Sequence, residues 1–160
     1  MRNRPRVADR ALELTVTWFG SGLLPGMPGT WGSLAALPFA WVIEEQNGRF
    51  VLGMAAVAVF LLGWVTSHLY AGRCGEADPG RVVIDEVAGQ WLTLLATPPN
   101  VTGYIVGFVL FRIADITKPW PVSWADRRLK GGLGIMLDDV LAAGYAGGAL
   151  YLFRVLTGLS

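Results

Sequence analysis

The stretch FVLGMAAVAVFLLGWVTS, residues 50–67, decides the fold of this chain. Its eighteen residues carry no charged side chain, and a helix needs roughly 20 mostly apolar residues to cross a bilayer. We therefore predict a membrane-spanning helix here. The composition agrees, because 53% of the 160 residues are hydrophobic and the mean hydropathy is +0.47, more than an ordinary soluble domain carries. We expect residues 1–160 to form one domain.

Outward from this helix, residues 14–43, 87–111 and 140–153 also lack charged side chains. The first stretch begins with a glycine- and proline-rich segment, GSGLLPGMPGT, which predicts a loop lining a site or the membrane interface, followed by a helix over residues 31–43. The second is broken by TPPN at residues 97–100, which predicts two short helices in a re-entrant hairpin. The third is rich in alanine and glycine, which favours close helix packing inside a bundle.

Positive charge predicts which side of the membrane each loop occupies. If the chain starts inside and reverses at each apolar stretch, eleven of its thirteen Lys and Arg residues share one side, leaving only Arg49 and Arg154 opposite. The positive-inside rule makes that side cytoplasmic. Residues 1–13 are too charged for a cleavable signal, so we expect Arg2, Arg4 and Arg6 to be retained there. The predicted fold is an all-α, multihelical integral membrane bundle with short or re-entrant segments and acidic loops on the cytoplasmic face.

Composition also narrows the chemistry. A net charge of +1 gives no global field for nucleic acid, and we expect no nucleic-acid partner. Cys74 is the single cysteine, which excludes an internal disulfide and a cysteine-based zinc site. His68 is the single histidine, at the end of the predicted span, where an interfacial role is the simpler reading. Phosphatases with histidine nucleophiles, and serine-histidine-acid triads, find no support here.

Seven of the twelve acidic residues gather in two polar segments, within the runs DPGRVVIDEVAG, FRIADITKPWP and DRRLKGGLGIMLDD. They are Asp78, Asp85, Glu86, Asp115, Asp126, Asp138 and Asp139. Carboxylates beside glycines and basic residues are typical of a divalent metal site that handles phosphate, and Mg²⁺ prefers such oxygen ligands. Two pairs, 85–86 and 138–139, are each predicted to open a helix. The alternative is that each pair only stabilises the positive end of its helix dipole.

Two further motifs bear on phosphate binding. Arg112, Asp115 and Lys118 have the spacing RxxDxxK and share a predicted helix face. They form either an exposed ion-pair ladder or a site where Lys118 and Arg127 hold phosphate oxygens while Asp115 binds metal or orients water. Thr30, in the glycine-rich loop, is predicted to cap the next helix or to touch phosphate.

Four blocks, PGMPGTWGSLAALP, DPGRVVIDEVAGQWLTL, FRIADITKPWP and DRRLKGGLGIMLDDVLAAGYAG, together resemble the phosphatidylglycerophosphatase A family. The resemblance runs over about residues 20–148. It implies an all-helical enzyme of the bacterial inner membrane, its active site facing the cytoplasm, which removes the terminal phosphate of phosphatidylglycerophosphate with Mg²⁺ to give phosphatidylglycerol. The family's acidic motifs map onto Asp78, Asp85, Glu86, Asp115, Asp138 and Asp139, and its basic positions onto Lys118 and Arg127.

The resulting hypothesis assigns each residue a role. Metal ligands are Asp78, Asp85, Glu86, Asp138 and Asp139. Catalytic residues are Asp85, Asp115, Lys118 and Asp139, and substrate-binding residues are Thr30, Lys118 and Arg127. We expect the lipid substrate and membrane lipids as partners, with its acyl chains in an apolar groove beside residues 50–67.

Several alternatives stay open at this point. The residues leave undecided the oligomeric state, the metal count and the choice between water and aspartate as nucleophile. A second class is a small non-enzymatic, cation-binding membrane protein. That class predicts carboxylates inside the spans rather than at helix ends.

Overall fold

The computed structural model describes residues 7–159. These residues form helices joined by loops and contain no strand. The predicted retention of Arg2, Arg4 and Arg6 on the cytoplasmic side concerns residues outside this range. The helices are α1 (Val7–Val16), α2 (Pro28–Asn47), α3 (Arg49–Cys74), α4 (Ile84–Leu94), α5 (Val101–Thr117), α6 (Val122–Arg128) and α7 (Gly131–Thr157), with a 3-10 turn at Ser21–Leu23. The all-α prediction is confirmed for the described residues, whereas α1, α6 and the 3-10 turn were not predicted.

Two helices of the described chain, α3 and α7, are long and apolar enough to cross a bilayer by length and composition. α3 contains the predicted span. α7 was predicted to begin at the pair 138–139, and it begins seven residues earlier, at Gly131, with the GGLG run in its first turn. A side chain at Gly132 would meet α3, since a Cβ there would lie 2.8 Å from His68 Cβ. Close helix packing therefore overrides the weak helix propensity of glycine.

The longer α7 corrects the placement of one acidic pair. Asp138 and Asp139 lie in the interior of α7, and not at a helix start as predicted. The dipole explanation of this pair fails as well, because the favourable field is confined to the first turn. A non-enzymatic cation binder was expected to carry carboxylates inside its spans. Because this pair lies within a candidate span, the argument against that class is weakened.

α2 begins three residues earlier than predicted. Pro28 occupies its first turn, where a missing N–H costs nothing and the fixed φ suits the helix. Thr30 is consequently helical rather than part of the loop, and no side-chain cap bond is present at this helix start. The irregular segment between α1 and α2 is correspondingly shorter.

The predicted break at residues 97–100 is confirmed, because α4 and α5 lie on either side of it. α5, with 17 residues, is longer than the short helix that was predicted, and the re-entrant course of the pair stays a prediction. Asn100 caps α5, its side-chain oxygen accepting a 2.7 Å bond from the Gly103 N–H. α4 has 11 residues and is therefore only about 16 Å long, too short for a ~30 Å hydrocarbon core. It packs against α2, α3, α5 and α7, and eight of its residues are buried. α4 is thus the central helix, and its first turn opens at one end of the bundle.

The outer faces of the bundle are apolar. Val57, Val65, Ile105 and Tyr151 are each about half exposed or more, among many similar side chains on α2, α3, α5 and α7. Together with the two candidate spans, this surface suggests a membrane protein.

Candidate active site

Five carboxylates from three helices meet at one end of the bundle. Asp85 and Glu86 lie in the first turn of α4, Asp115 in the last turn of α5, and Asp138 and Asp139 inside α7. They form two groups whose oxygen atoms lie within 4.8 Å of one another: Asp85, Glu86 and Asp139, and Asp115, Asp138 and Asp139. Asp139 belongs to both groups. We call these five residues the carboxylate cluster.

Glycines allow the three helices to approach this closely. At Gly89, one turn after Asp85, a Cβ would lie 2.7 Å from the Phe111 ring and 3.0 Å from the Asp139 carbonyl oxygen. A Cβ on Gly29 of α2 would collide with the Glu86 carboxylate. A side chain at Gly89 would push α4 away from Phe111 and Asp139, and one at Gly29 would displace the Glu86 carboxylate. This close packing brings the separate acidic motifs together.

The carboxylate oxygens of the cluster are poorly satisfied by the protein. Four buried oxygens have no hydrogen-bond partner among the described residues: Asp85 Oδ1, Glu86 Oε2, Asp138 Oδ1 and Asp139 Oδ2. Buried acceptors without partners are costly and rare. Burial raises the pKa of Glu86 to about 7 and, with the nearby charge of Glu86, raises the pKa of Asp85 well above its usual value. A cation held by these oxygens removes both costs, so the donor set fits a hard divalent ion such as Mg²⁺.

Lys118 supplies positive charge at the edge of the cluster. It is not on the face of α5, as the RxxDxxK spacing predicted, but is the left-handed residue that ends the helix, with φ of 43°. Its ammonium group donates to Asp138 at 2.9 Å and also pairs with Asp126. Burial alone would lower the pKa of Lys118, but these two bonds raise the pKa above its usual value.

Arg112 is the basic residue that the sequence hypothesis left out of the site. Its Nη1 lies 2.8 Å from Asp115 and 3.9 Å from Glu86, one residue of each carboxylate group, and donates to Ser33 Oγ at 3.3 Å. Its side chain is only 13% exposed, which rules out an exposed ladder at this pair. The RxxDxxK motif contained the signal, but spacing alone does not reveal that α2 and α4 cover the arginine.

The other predicted site residues lie at the periphery. Asp78 and Asp126 line a cavity of about 130 Å³ that also reaches Asp138. Arg127 is exposed, and its Nε donates to the Ser123 carbonyl at 2.9 Å. The Thr30 hydroxyl is buried without a partner. Asp126 pairs with Lys118.

A cluster of acids flanked by a lysine and an arginine is the arrangement expected of a metal-assisted, phosphate-handling site. The comparisons with known proteins agree with this class. The model of the phosphatidylglycerophosphatase A family matches residues 14–154. The chain therefore belongs to the phosphatidylglycerophosphatase A family, a family of phosphatases.

Individual relatives cover most of the chain. A phosphatidylglycerophosphatase A of Escherichia coli K12 is 41% identical, over 91% of this chain and 88% of that protein. One of Haemophilus influenzae is 39% identical, over 84% and 83%. A Bacteroides thetaiotaomicron protein provisionally named a phosphatidylinositol-3-phosphatase is 40% identical, over 81% and 85%. No solved structure matches the chain.

Proposed function

We propose that this protein is a Mg²⁺-dependent phosphatase that converts phosphatidylglycerophosphate and water to phosphatidylglycerol and inorganic phosphate. The observation that carries the proposal is the carboxylate cluster, with four buried and unpartnered oxygens beside Arg112 and Lys118. Unsatisfied acceptors call for a metal, and the adjacent cations suit a phosphate. The names of the relatives from E. coli and H. influenzae supply the substrate.

The residues divide into metal-holding and phosphate-holding groups. Asp85, Glu86, Asp138 and Asp139 would hold Mg²⁺, with Asp78 one layer further out along the small cavity. Bound there, the ion would neutralise phosphate charge and polarise the phosphorus–oxygen bonds. The two carboxylate groups that share Asp139 have the composition of a two-ion site. We therefore favour a metal count of two.

The remaining residues act on the phosphate itself. Lys118 and Arg112 lie where they would bind its non-bridging oxygens, with Thr30 and Arg127 as the further predicted contacts. Asp115, oriented by Arg112, would accept a proton from the attacking water. The water oxygen bonds to phosphorus, the ester phosphorus–oxygen bond breaks, and the departing glycerol oxygen takes up a proton.

We further propose an integral bundle of the bacterial inner membrane whose site faces the cytoplasm. The end of α3, the start of α4, the end of α5 and the start of α7 all belong to the end of the bundle that holds the carboxylate cluster, and this end carries Arg73, Arg81, Arg112 and Lys118. The positive-inside rule favours the cytoplasm for such an end. A headgroup in cytoplasmic water would then reach the cluster while its chains stay in lipid.

Phosphate release from phosphatidylglycerophosphate in detergent, with Mg²⁺ or with chelator, tests the proposal. We expect release by the wild type only with Mg²⁺, and a loss of roughly 100-fold in kcat/KM for Asp85→Asn, equal to the few kcal/mol that metal chemistry supplies. Glu45→Gln, an exposed acid far along α2, is the matched control and keeps wild-type activity. Undiminished activity in chelator, or in Asp85→Asn, contradicts the metal assignment.

Phosphatidylinositol 3-phosphate is the comparison substrate, because the Bacteroides relative carries that provisional name. We expect a higher kcat/KM for phosphatidylglycerophosphate. A higher kcat/KM for phosphatidylinositol 3-phosphate would leave the phosphatase activity in place and identify that lipid as the better substrate.

A further inference from the structure

A second feature adjoins the carboxylate cluster: an apolar groove between the start of α2 and the C-terminal half of α5. Its volume is about 350 Å³, within the range of small-ligand sites. Its walls are mainly Met27, Phe108, Val109, Ile113 and Ile116. We call it the α2–α5 groove.

The inner end of this groove is polar and continuous with the cluster. Arg112 lines the groove and also contacts Glu86 and Asp115. Its Nε is buried without a hydrogen-bond partner. Thr30 lines the groove as well, and its hydroxyl is likewise buried and unpartnered. Two unused donors at the end of an apolar channel match an amphiphile whose anionic head lies inward.

The outer part of the groove opens on the apolar surface of the bundle. Val109 is 46% exposed, Ile113 54% and Ile116 59%. If α3 and α7 span a bilayer, α5 between the same two ends presents these side chains to lipid. A molecule that enters sideways from the bilayer would therefore reach Arg112 without passing through water.

The geometry points to the α2–α5 groove as the binding site for the glycerol backbone and one acyl chain of the lipid phosphomonoester, with Thr30 and Arg112 contacting its polar head. This inference rests on the proposed function and extends it from the phosphate to the lipid. Ile113 and Val109 then determine how tightly long-chain substrates bind.

The sequence predicted the acyl chains elsewhere, beside α3, and a larger groove does exist there. It is lined by Arg49, Phe50, Met54 and Leu61 with a volume of about 580 Å³. However, α3 meets the start of α4 and α7 at Gly63, where a Cβ would contact Met136 and Ile84. Arg49 lies about 20 Å along the helix axis from that level. No residue of the candidate active site lines the α3 groove, whereas Arg112, which contacts Glu86 and Asp115 of the carboxylate cluster, lines the α2–α5 groove.

The test fills the groove and compares two substrates. Ile113→Trp places a large ring in the groove at a half-exposed position, where it disturbs no core packing. Ile105→Trp, 57% exposed on the same helix and outside the groove, is the matched control. Both variants are assayed with Mg²⁺ on dioleoyl phosphatidylglycerophosphate and on its deacylated, water-soluble headgroup.

We expect Ile113→Trp to lower kcat/KM for the dioleoyl substrate about tenfold, the effect of losing contact with a few methylene groups, and Ile105→Trp to change it less than twofold. For the deacylated headgroup the two variants should agree. Equal activity of both variants on the dioleoyl lipid overturns the groove assignment, as does an equal loss by Ile113→Trp on both substrates. If the wild type releases phosphate from neither substrate, that different result refutes the proposed function itself.

A crosslinking measurement adds a readout that does not depend on turnover. A dioleoyl-type lipid phosphomonoester carrying a diazirine in one acyl chain is irradiated with the wild-type protein in detergent. Labelling concentrated on the peptide that contains Val109 and Ile113 supports the proposal. Labelling concentrated on residues 50–61 would instead assign the chains to the α3 groove.

Discussion

Two buried acidic sites lie at opposite ends of this bundle, and they differ in how their oxygens are satisfied. Glu44, near the end of α2, is 6% exposed, yet both of its oxygens are partnered: Oε1 by Arg49 Nε and Oε2 by the Tyr104 hydroxyl, each at 3.3 Å. In the carboxylate cluster four oxygens have no partner. A buried acid whose oxygens have hydrogen-bond partners stabilises a fold. Buried oxygens without partners are instead typical of a site that binds a ligand. On this contrast we propose a structural role for Glu44 and a functional role for the carboxylate cluster.

The largest expected effect is at Asp139, which belongs to both carboxylate groups. We expect Asp139→Asn to lower kcat/KM roughly 1,000-fold, more than Asp85→Asn or Asp115→Asn, because it removes charge from two metal-holding groups at once. Initial rates of phosphate release across a Mg²⁺ titration measure this. Equal losses for all three variants would contradict the proposal that Asp139 serves both groups.

The next effect is at Arg112. Arg112→Lys keeps the charge but loses the guanidinium group, whose Nη1 contacts Asp115, Glu86 and Ser33, so we expect a loss of about 100-fold in kcat/KM. Arg128→Gln, an exposed change on α6, is the control. Arg127→Gln in the same series tests the sequence prediction that Arg127 binds substrate, since an activity equal to that of Arg128→Gln removes it from the site. Full activity of Arg112→Lys would show that only positive charge matters there.

A third effect, on stability, compares the two acidic sites directly. Mg²⁺ at 100 times its Kd should stabilise the wild type by about 2.7 kcal/mol, seen as a rise in the thermal unfolding temperature in detergent. Asp139→Asn should lose this rise, and Glu44→Ala should keep it. A Mg²⁺-dependent rise that survives in Asp139→Asn would place the ion away from the carboxylate cluster.

The sequence predicted those parts of the molecule that local physics determines. The span at residues 50–67 follows from length and composition, and the α4–α5 hairpin follows from two prolines and a capping asparagine at position 100. The convergence of the acidic motifs on one end followed from alternating topology. In the first two cases the signal lies within one stretch of the chain, and in the third it lies in the alternation of apolar and charged stretches.

The features that were missed depend on contacts between distant segments. Gly132 has a weak helix propensity, and it is helical because α7 packs against α3 there. The predicted start of α7 was therefore too late, and Asp138 was placed at a helix start instead of inside the helix. Arg112 reads as part of a surface ladder until α2 and α4 cover it. The pattern of a single sequence does not show which helices cover a residue. Arg112 was therefore recognised as the second cation of the site only from the structure.

The smallest expected effect is at the satisfied acid. Glu44→Ala leaves the buried Tyr104 hydroxyl without its acceptor and should destabilise the protein by about 1–3 kcal/mol, while phosphate release at low temperature stays within twofold of wild type. Tyr104→Phe should cost less, and the double variant should cost less than the sum, because the two groups share one hydrogen bond. If Glu44→Ala abolished activity in folded protein, the distinction between satisfied structural acids and unsatisfied functional ones would fail for this fold. Activity that survives with a lowered unfolding temperature means that the Glu44–Tyr104 hydrogen bond fastens the end of α2 to α5, and leaves the chemistry to the opposite end of the bundle.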